Sequence, residues 1–150
     1  MEPVQVTIDV PHNRDDVYDF LDVMANHEPF TDHMMRDWSF DGPPSGVGAK
    51  ARCRMVAVGR TDTIQMEVIE AERPVRTVER NVSAGGRRVA TGTYTLADLP
   101  DGGTRVTFTY TWEQAPVSDR LMAPVVHAVA RRANETSMRR LAEKLAQALP

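Results

Sequence analysis

Cysteine occurs once, at Cys53, and lysine only at Lys50 and Lys144. A lone cysteine excludes a disulfide within the chain and agrees with a cytoplasmic setting. Most basic residues are therefore arginines, and the net charge is -3. That balance argues against a nucleic-acid partner, because phosphate binding needs a surplus of cations gathered on one face. No apolar run approaches the roughly 20 residues that span a bilayer. The opening MEPVQVTIDV lacks a basic segment and alternates apolar with polar residues, so it does not read as a secretory leader. There is no Gly-x-Ser-x-Gly, phosphate loop or dinucleotide fingerprint. His27 and Asp32 are five apart and His27 and His33 six apart, which misses helical metal-ligand spacing. No metal and no cofactor are expected, and His27 and His33 read as solvated polar residues.

What is present suits a soluble globular chain. Its 150 residues fit one domain, and 41% hydrophobic with 26% charged residues is close to the globular average. Val4, Val6, Ile8 and Val10 alternate with polar residues as in a half-buried strand. Asn13 is placed to cap a helix whose first turn carries Asp15 and Asp16, with Val17, Phe20 and Leu21 as its apolar stripe. A second helical piece is expected from Met24 to about Met34.

From Met35 to Glu113 the period is 2, punctuated by turn signals at Gly42 to Gly48, Gly59, Arg73-Pro74, Gly85-Gly86 and Asp101 to Gly103. The pattern predicts six strands: about Met35–Asp41, Val47–Val58, Thr61–Glu70, Arg76–Ser83, Arg87–Leu96 and Thr104–Glu113. Short connections make them antiparallel neighbours. The inward face, read from apolar members, holds Trp38 and Phe40; Ala51, Cys53 and Met55; Ile64, Met66 and Val68; Val78 and Val82; Tyr94 and Leu96; and Phe108, Tyr110 and Trp112. Cys53 reads as an inert buried thiol. After Pro116, apolar residues from Leu121 to Leu149 recur at helical spacing. Pro124 requires this helix to begin near Ala123 or to bend there.

The segments VPHNRDDVYDFLDVMANHEPF (Val10 to Phe30), GPPSGVGAKARCRM (Gly42 to Met55) and GTYTLADLPDGGTRVTFTYTWE (Gly92 to Glu113) carry a resemblance that covers essentially the whole chain. The sequence resembles the START-like helix-grip (SRPBCC) superfamily, in particular its bacterial polyketide cyclase/dehydrase and lipid-transport-like branch. The resemblance implies an α+β fold in which a seven-stranded antiparallel sheet and two short helices wrap a long carboxy-terminal helix. It also implies a cavity between sheet and helix for a small hydrophobic or aromatic ligand, in a monomer or homodimer.

Trp38, Met55, Met66 and Val78 are candidate lining residues from the sheet, as are Tyr94, Phe108, Tyr110 and Trp112. Met122, Val126, His127 and Val129 are candidates from the helix. Tyr and Trp carry polar atoms that seek partners when buried. Arg80 shares the face of Val78 and Val82, where a guanidinium needs a carboxylate or ligand anion. Its alternative is to turn outward toward Glu67 or Glu79. Three readings stay open: a carrier or sensor without chemistry, a cyclase or dehydratase acting on a polyketide-like substrate, and an interaction module with a filled core.

Overall fold

The computed structural model describes residues 1–57 and 60–150. Strand β1 (Val4–Val10) leads into helix α1 (Arg14–Asp22), a 3-10 turn (Met24–Asn26) and helix α2 (His27–Thr31). Strands β2 (Met35–Asp41), β3 (Lys50–Ala57), β4 (Arg60–Glu72), β5 (Arg76–Ser83), β6 (Arg88–Asp98) and β7 (Thr104–Gln114) follow. Helices α3 (Val117–Leu121) and α4 (Ala123–Ala148) end the chain. The expected end of the second strand at Val58, and the turn at Gly59, lie outside the described residues.

All pairings are antiparallel, in the order β1-β7-β6-β5-β4-β3-β2. Strands consecutive in the chain are neighbours from β2 to β7, and β1 closes the order by pairing with β7. The sheet is open, and α4 packs against β1 and α2. This is the helix-grip arrangement expected from the order of elements.

Local chemistry sets the helix ends. The Asn13 side chain accepts a hydrogen bond from the Asp16 amide at 2.9 Å and donates to the Asp16 carboxylate at 2.8 Å. Replacing Asn13 with alanine removes both, and we expect a loss of about 1 kcal/mol in urea unfolding. No change in the unfolding midpoint would show that the cap is dispensable. At the other end, Pro124 lies in the first turn of α4, where its missing N–H costs no helical bond. The chain breaks at Met122, so the apolar run after Pro116 forms two helices.

Two apolar clusters form the interior. The first joins β1, β6 and β7 to α1, α2 and the later part of α4, with Phe30, Phe108, Met138, Leu141 and Leu145 buried. The second gathers Met24, Ala51, Cys53, Ile64, Met66 and Val68, with Met35, Trp38 and Met55 partly buried against it. Strand β5 lies between the strands that supply these clusters.

Candidate functional site on the concave face

Strand β5 turns its polar row inward. Thr77, Glu79, Asn81 and Ser83 are buried, while Arg80 is exposed. Register fixes the face: Glu79 pairs with Val68 and Gly92, and Asn81 with Met66 and Ala90, all concave-side residues. This corrects the expected face of β5. Val78, though buried, pairs with Glu70 and Thr93; Val82 pairs with Gln65 and Val89; and Arg80 stands opposite Glu67. A one-residue change of register moves every side chain to the other face. Valines at 78 and 82 suggested one face, but the neighbouring strands impose the other. Arg80 and Val82 instead line an outer groove of about 440 Å³ with Phe40, Lys50, Arg52 and Glu67.

Glu79 is 7% exposed. Its carboxyl lies over Gly92, where an added Cβ would come within 3.0 Å of Glu79 Oε1 and 2.9 Å of the Phe108 ring. Glycine at position 92 thus makes room for both groups. Burial raises the Glu79 pKa above its ordinary value; nearby His27 and a hydrogen bond with Asn81 pull in the opposite direction. The Tyr94 hydroxyl is pushed well up by burial and by the Glu79 charge. Tyr110 rises to about 12, chiefly through burial, with Arg88 opposing and Glu79 and Asp119 reinforcing the shift.

His27 is 5% exposed and not solvated, a second correction. Helix α2 places its ring edge-on to Tyr94 at 5.5 Å and tilted against Phe30 at 5.3 Å. His27 Nε2 lies 2.6 Å from the Leu21 carbonyl. A carbonyl only accepts, so Nε2 carries the proton of this hydrogen bond.

Toward one end of the concave face, Arg88 donates from Nε to Asp119 at 2.7 Å and from Nη1 to Asp62 and to Ser83 Oγ, each at 3.1 Å. These bonds tie β6 to β4, β5 and α3. Glu79, Asn81, Ser83 and Arg88 therefore form a polar track between the two apolar clusters.

Most of the other candidates fall into separate environments. Trp38, Met55 and Met66 belong to the second cluster, Tyr94 and Phe108 to the first, and Tyr110 and Trp112 pack partly buried against the first. Trp112 also lines an open hollow of about 270 Å³ with Met1, Glu113, Gln114, Ala115 and Arg120. Phe40 is exposed and stacks on Trp38 at 5.8 Å. Met122 and Val129 are open to solvent, as are Leu121 and Val125, correcting the expectation that this part of the stripe lies inward. The reason is that the buried residues of α4 lie from its middle onward, from Asn134 to Leu145. Val126 and His127 are half-buried; His127 Nε2 meets the Pro3 carbonyl at 3.1 Å, and its ring is 6.5 Å from Trp112.

The buried Cys53 thiol is pushed up to about 12, mainly by burial, and so is a poor nucleophile. Among the described residues, no group of three or more His, Cys, Asp or Glu side chains is placed to hold a metal ion. Among them, too, no helix is long and apolar enough to cross a membrane.

Glu79, Asn81 and His27 are what the sequence reading missed as site residues. The segment TVERNVS alternates in two interleaved rows, and the valine row was the more plausible interior. Gly92, opposite Glu79, is the one local sign of a large inward side chain, and it gains that meaning only through register.

An open antiparallel sheet holding a long terminal helix, with buried acid, amide and imidazole groups on its concave side, defines a helix-grip protein with a polar interior. The chain belongs to the family described as polyketide cyclase/dehydrase and lipid transport, whose model matches residues 1–149. Among curated proteins, none matches the chain. Similar solved structures include TTHA0849 from Thermus thermophilus, with 20% identity, a TM-score of 0.81, and coverage of 99% of this chain and 100% of that one. The Zhui aromatase/cyclase from Streptomyces sp. R1128 has 15% identity, a TM-score of 0.78, and coverage of 99% and 96%. DynU16, from the dynemicin biosynthetic locus, has 21% identity and a TM-score of 0.69; the match covers 99% of this chain and 48% of that one. Likeness at these identities establishes the shared fold.

Proposed function

We propose that this protein binds a small hydrophobic or aromatic molecule on the concave side of its sheet, acting as a single cytoplasmic domain. The observation that carries the reading is the inward polar row of β5 lying between two apolar clusters. A filled apolar core has no use for a buried carboxylic acid and amide, since each polar group taken from water without full compensation destabilises the fold. Ligand sites combine apolar walls with a few convergent polar groups, and this arrangement fits that description. Family membership supports the same reading.

Native mass spectrometry of the purified protein, with thermal shifts across a panel of polycyclic aromatics and fatty acids, tests the proposal. The expected result is a co-purified small molecule or a rise in melting temperature with at least one member. A ligand-free protein indifferent to the whole panel would sink it.

Acid–base chemistry at the same place is the second reading, favoured by Glu79 lying near both His27 and Tyr94. An acid at Glu79 can give a proton to a carbonyl oxygen while the His27 imidazole takes one from carbon, as enolisation in a cyclisation or dehydration requires. The name of the Streptomyces neighbour points the same way. Deuterium exchange into the central methylene of 1-phenyl-1,3-butanedione is the direct assay. Exchange above the buffer rate that disappears in Glu79→Gln supports chemistry; exchange at the buffer rate leaves the protein a binder.

A further inference from the structure

The start of the terminal helical region is apolar on the side that faces water. Val117, Leu121, Met122, Val125 and Val129 are all exposed, Val117 to 60% and Leu121 to 78%. A surface helix hides its apolar stripe and shows polar residues elsewhere. Helix α4 does so in its later turns, with Met138, Leu141 and Leu145 buried and Arg139 and Glu143 exposed. In its first turns the order fails: at about 100° per residue, Val125 and Val129 lie on the side opposite Met138 and Leu141. Helix α3 adds Val117 and Leu121 and has no buried residue of its own. A contiguous apolar surface of this kind marks an interaction site.

Charge indicates the occupant. From Arg120 to Asn134 the chain carries three arginines, Arg120, Arg131 and Arg132, and no aspartate or glutamate, although its net charge is -3. All three are exposed. None has a carboxylate partner among the described residues; Arg131 donates to the Gln5 carbonyl at 3.3 Å. Of the flanking acids, Asp119 is held by Arg88, and Glu135 follows only after the arginine pair. Helix α4 begins without a side-chain cap, so the positive end of its dipole lies at the same end as the stripe. A second copy docked stripe to stripe about a two-fold axis would set one cationic stretch beside another. A protein partner would need a groove shaped to a ridge from which Leu121 projects. A bilayer yields to a convex apolar ridge, and the phosphates of its headgroups accept hydrogen bonds from arginines beside it.

We propose that α3 and the first turns of α4 form a docking surface for anionic lipid membranes, with Leu121, Met122 and Val125 entering the acyl boundary and Arg120 and Arg132 meeting lipid phosphates. The contact is peripheral: the helices lie in the interface and do not span the bilayer. It is independent of what the concave face binds, so the two proposals stand or fall separately.

Co-sedimentation of the full chain with two kinds of vesicle tests it: phosphatidylcholine alone, and an equal mixture of phosphatidylcholine and phosphatidylglycerol. The wild-type protein is expected to bind the mixed vesicles at least about tenfold more tightly, which is about 1.4 kcal/mol, and to lose that preference as salt is raised. The double variant Leu121→Ser/Val125→Ser keeps every charge; it should lose at least about tenfold in affinity for the mixed vesicles with its thermal midpoint unchanged. Arg120→Ser/Arg132→Ser should erase the preference for the anionic vesicles. Equal binding to both vesicles, or binding that survives Leu121→Ser/Val125→Ser, would overturn the assignment. Absence of binding to either kind would overturn it as well and give the stripe to a protein, which is a second copy if analytical ultracentrifugation shows a wild-type dimer that Leu121→Ser/Val125→Ser dissociates. The comparison of vesicles and of salt needs no variant, so the test holds even if a variant does not fold.

Discussion

Glu79→Gln should make the unliganded protein more stable at pH 8 by about 1–3 kcal/mol, and flatter in its dependence on pH. The sign follows from where the proton sits. Burial raises the folded-state pKa of Glu79 above the ordinary 4.5. Below 4.5 the folded and unfolded chains both hold the proton and no penalty exists. Between 4.5 and the raised folded value, the folded chain keeps a proton that the unfolded chain has released, so stability falls as pH rises through that window and stays lower above it. Glutamine does not titrate and retains the shape of the side chain over Gly92.

The charged or titratable groups that interact with Glu79 include His27 from α2, Tyr94 from β6, Tyr110 from β7 and Cys53 from β3. All are common to both proteins, so the difference between the two profiles reports on Glu79. Urea unfolding at several pH values from about 4 to 8 reads the effect. A variant less stable than wild type at pH 8 would show that Glu79 is stabilised by its surroundings and would remove the basis for a protonated acid there. The expected gain also bears on function: an acid that destabilises the empty fold is better understood as serving what binds beside it.

Leu141→Ala should lower stability by about 2–5 kcal/mol, whereas Leu121→Ala should change it by no more than about 0.5 kcal/mol. Both leucines belong to the apolar recurrence after Pro116. Leu141 is 0% exposed inside the first cluster; Leu121 is 78% exposed in α3. The same urea titration separates them. Comparable losses would mean that the start of the terminal helical region is packed in solution in a way the structure does not contain. The contrast also locates the rigid part of the grip: the later turns of α4 carry packing energy, while Met122, Val125 and Val129 leave an apolar stripe open to solvent near Trp112 and His127.

Much of the fold was legible residue by residue. Alternation marks the strands, Asn13 marks the start of α1, and Pro124 forces the break that the chain makes at Met122. These signals are local: a period of 2, a side-chain oxygen three residues from an amide, a ring that cannot donate. The succession of strand, short helices, hairpins and long helix was enough to name the fold, because an open sheet has few ways to cover its apolar face. Phe108, Tyr110 and Trp112 were rightly placed on one face, since the threonines between them leave no competing assignment.

The site was not legible in that way. In β5 one row is wholly polar and the other carries two valines, so composition alone favoured Val78 and Val82 inside, with Arg80 turned outward toward Glu67 or Glu79. Pairing of Glu79 with Val68 and Gly92, and of Asn81 with Met66 and Ala90, imposed the opposite face. His27 looked like a solvent-exposed residue because its neighbours Asn26 and Glu28 are polar; the packing of α2 against α4 and beside Tyr94 buries it. The elements and their order depend on interactions a few residues long, and so they can be read directly from the chain. Which face of β5 turns inward, and which half of the terminal helix is covered, depend on contacts between strands and helices distant in sequence, and those exist only once the chain has folded.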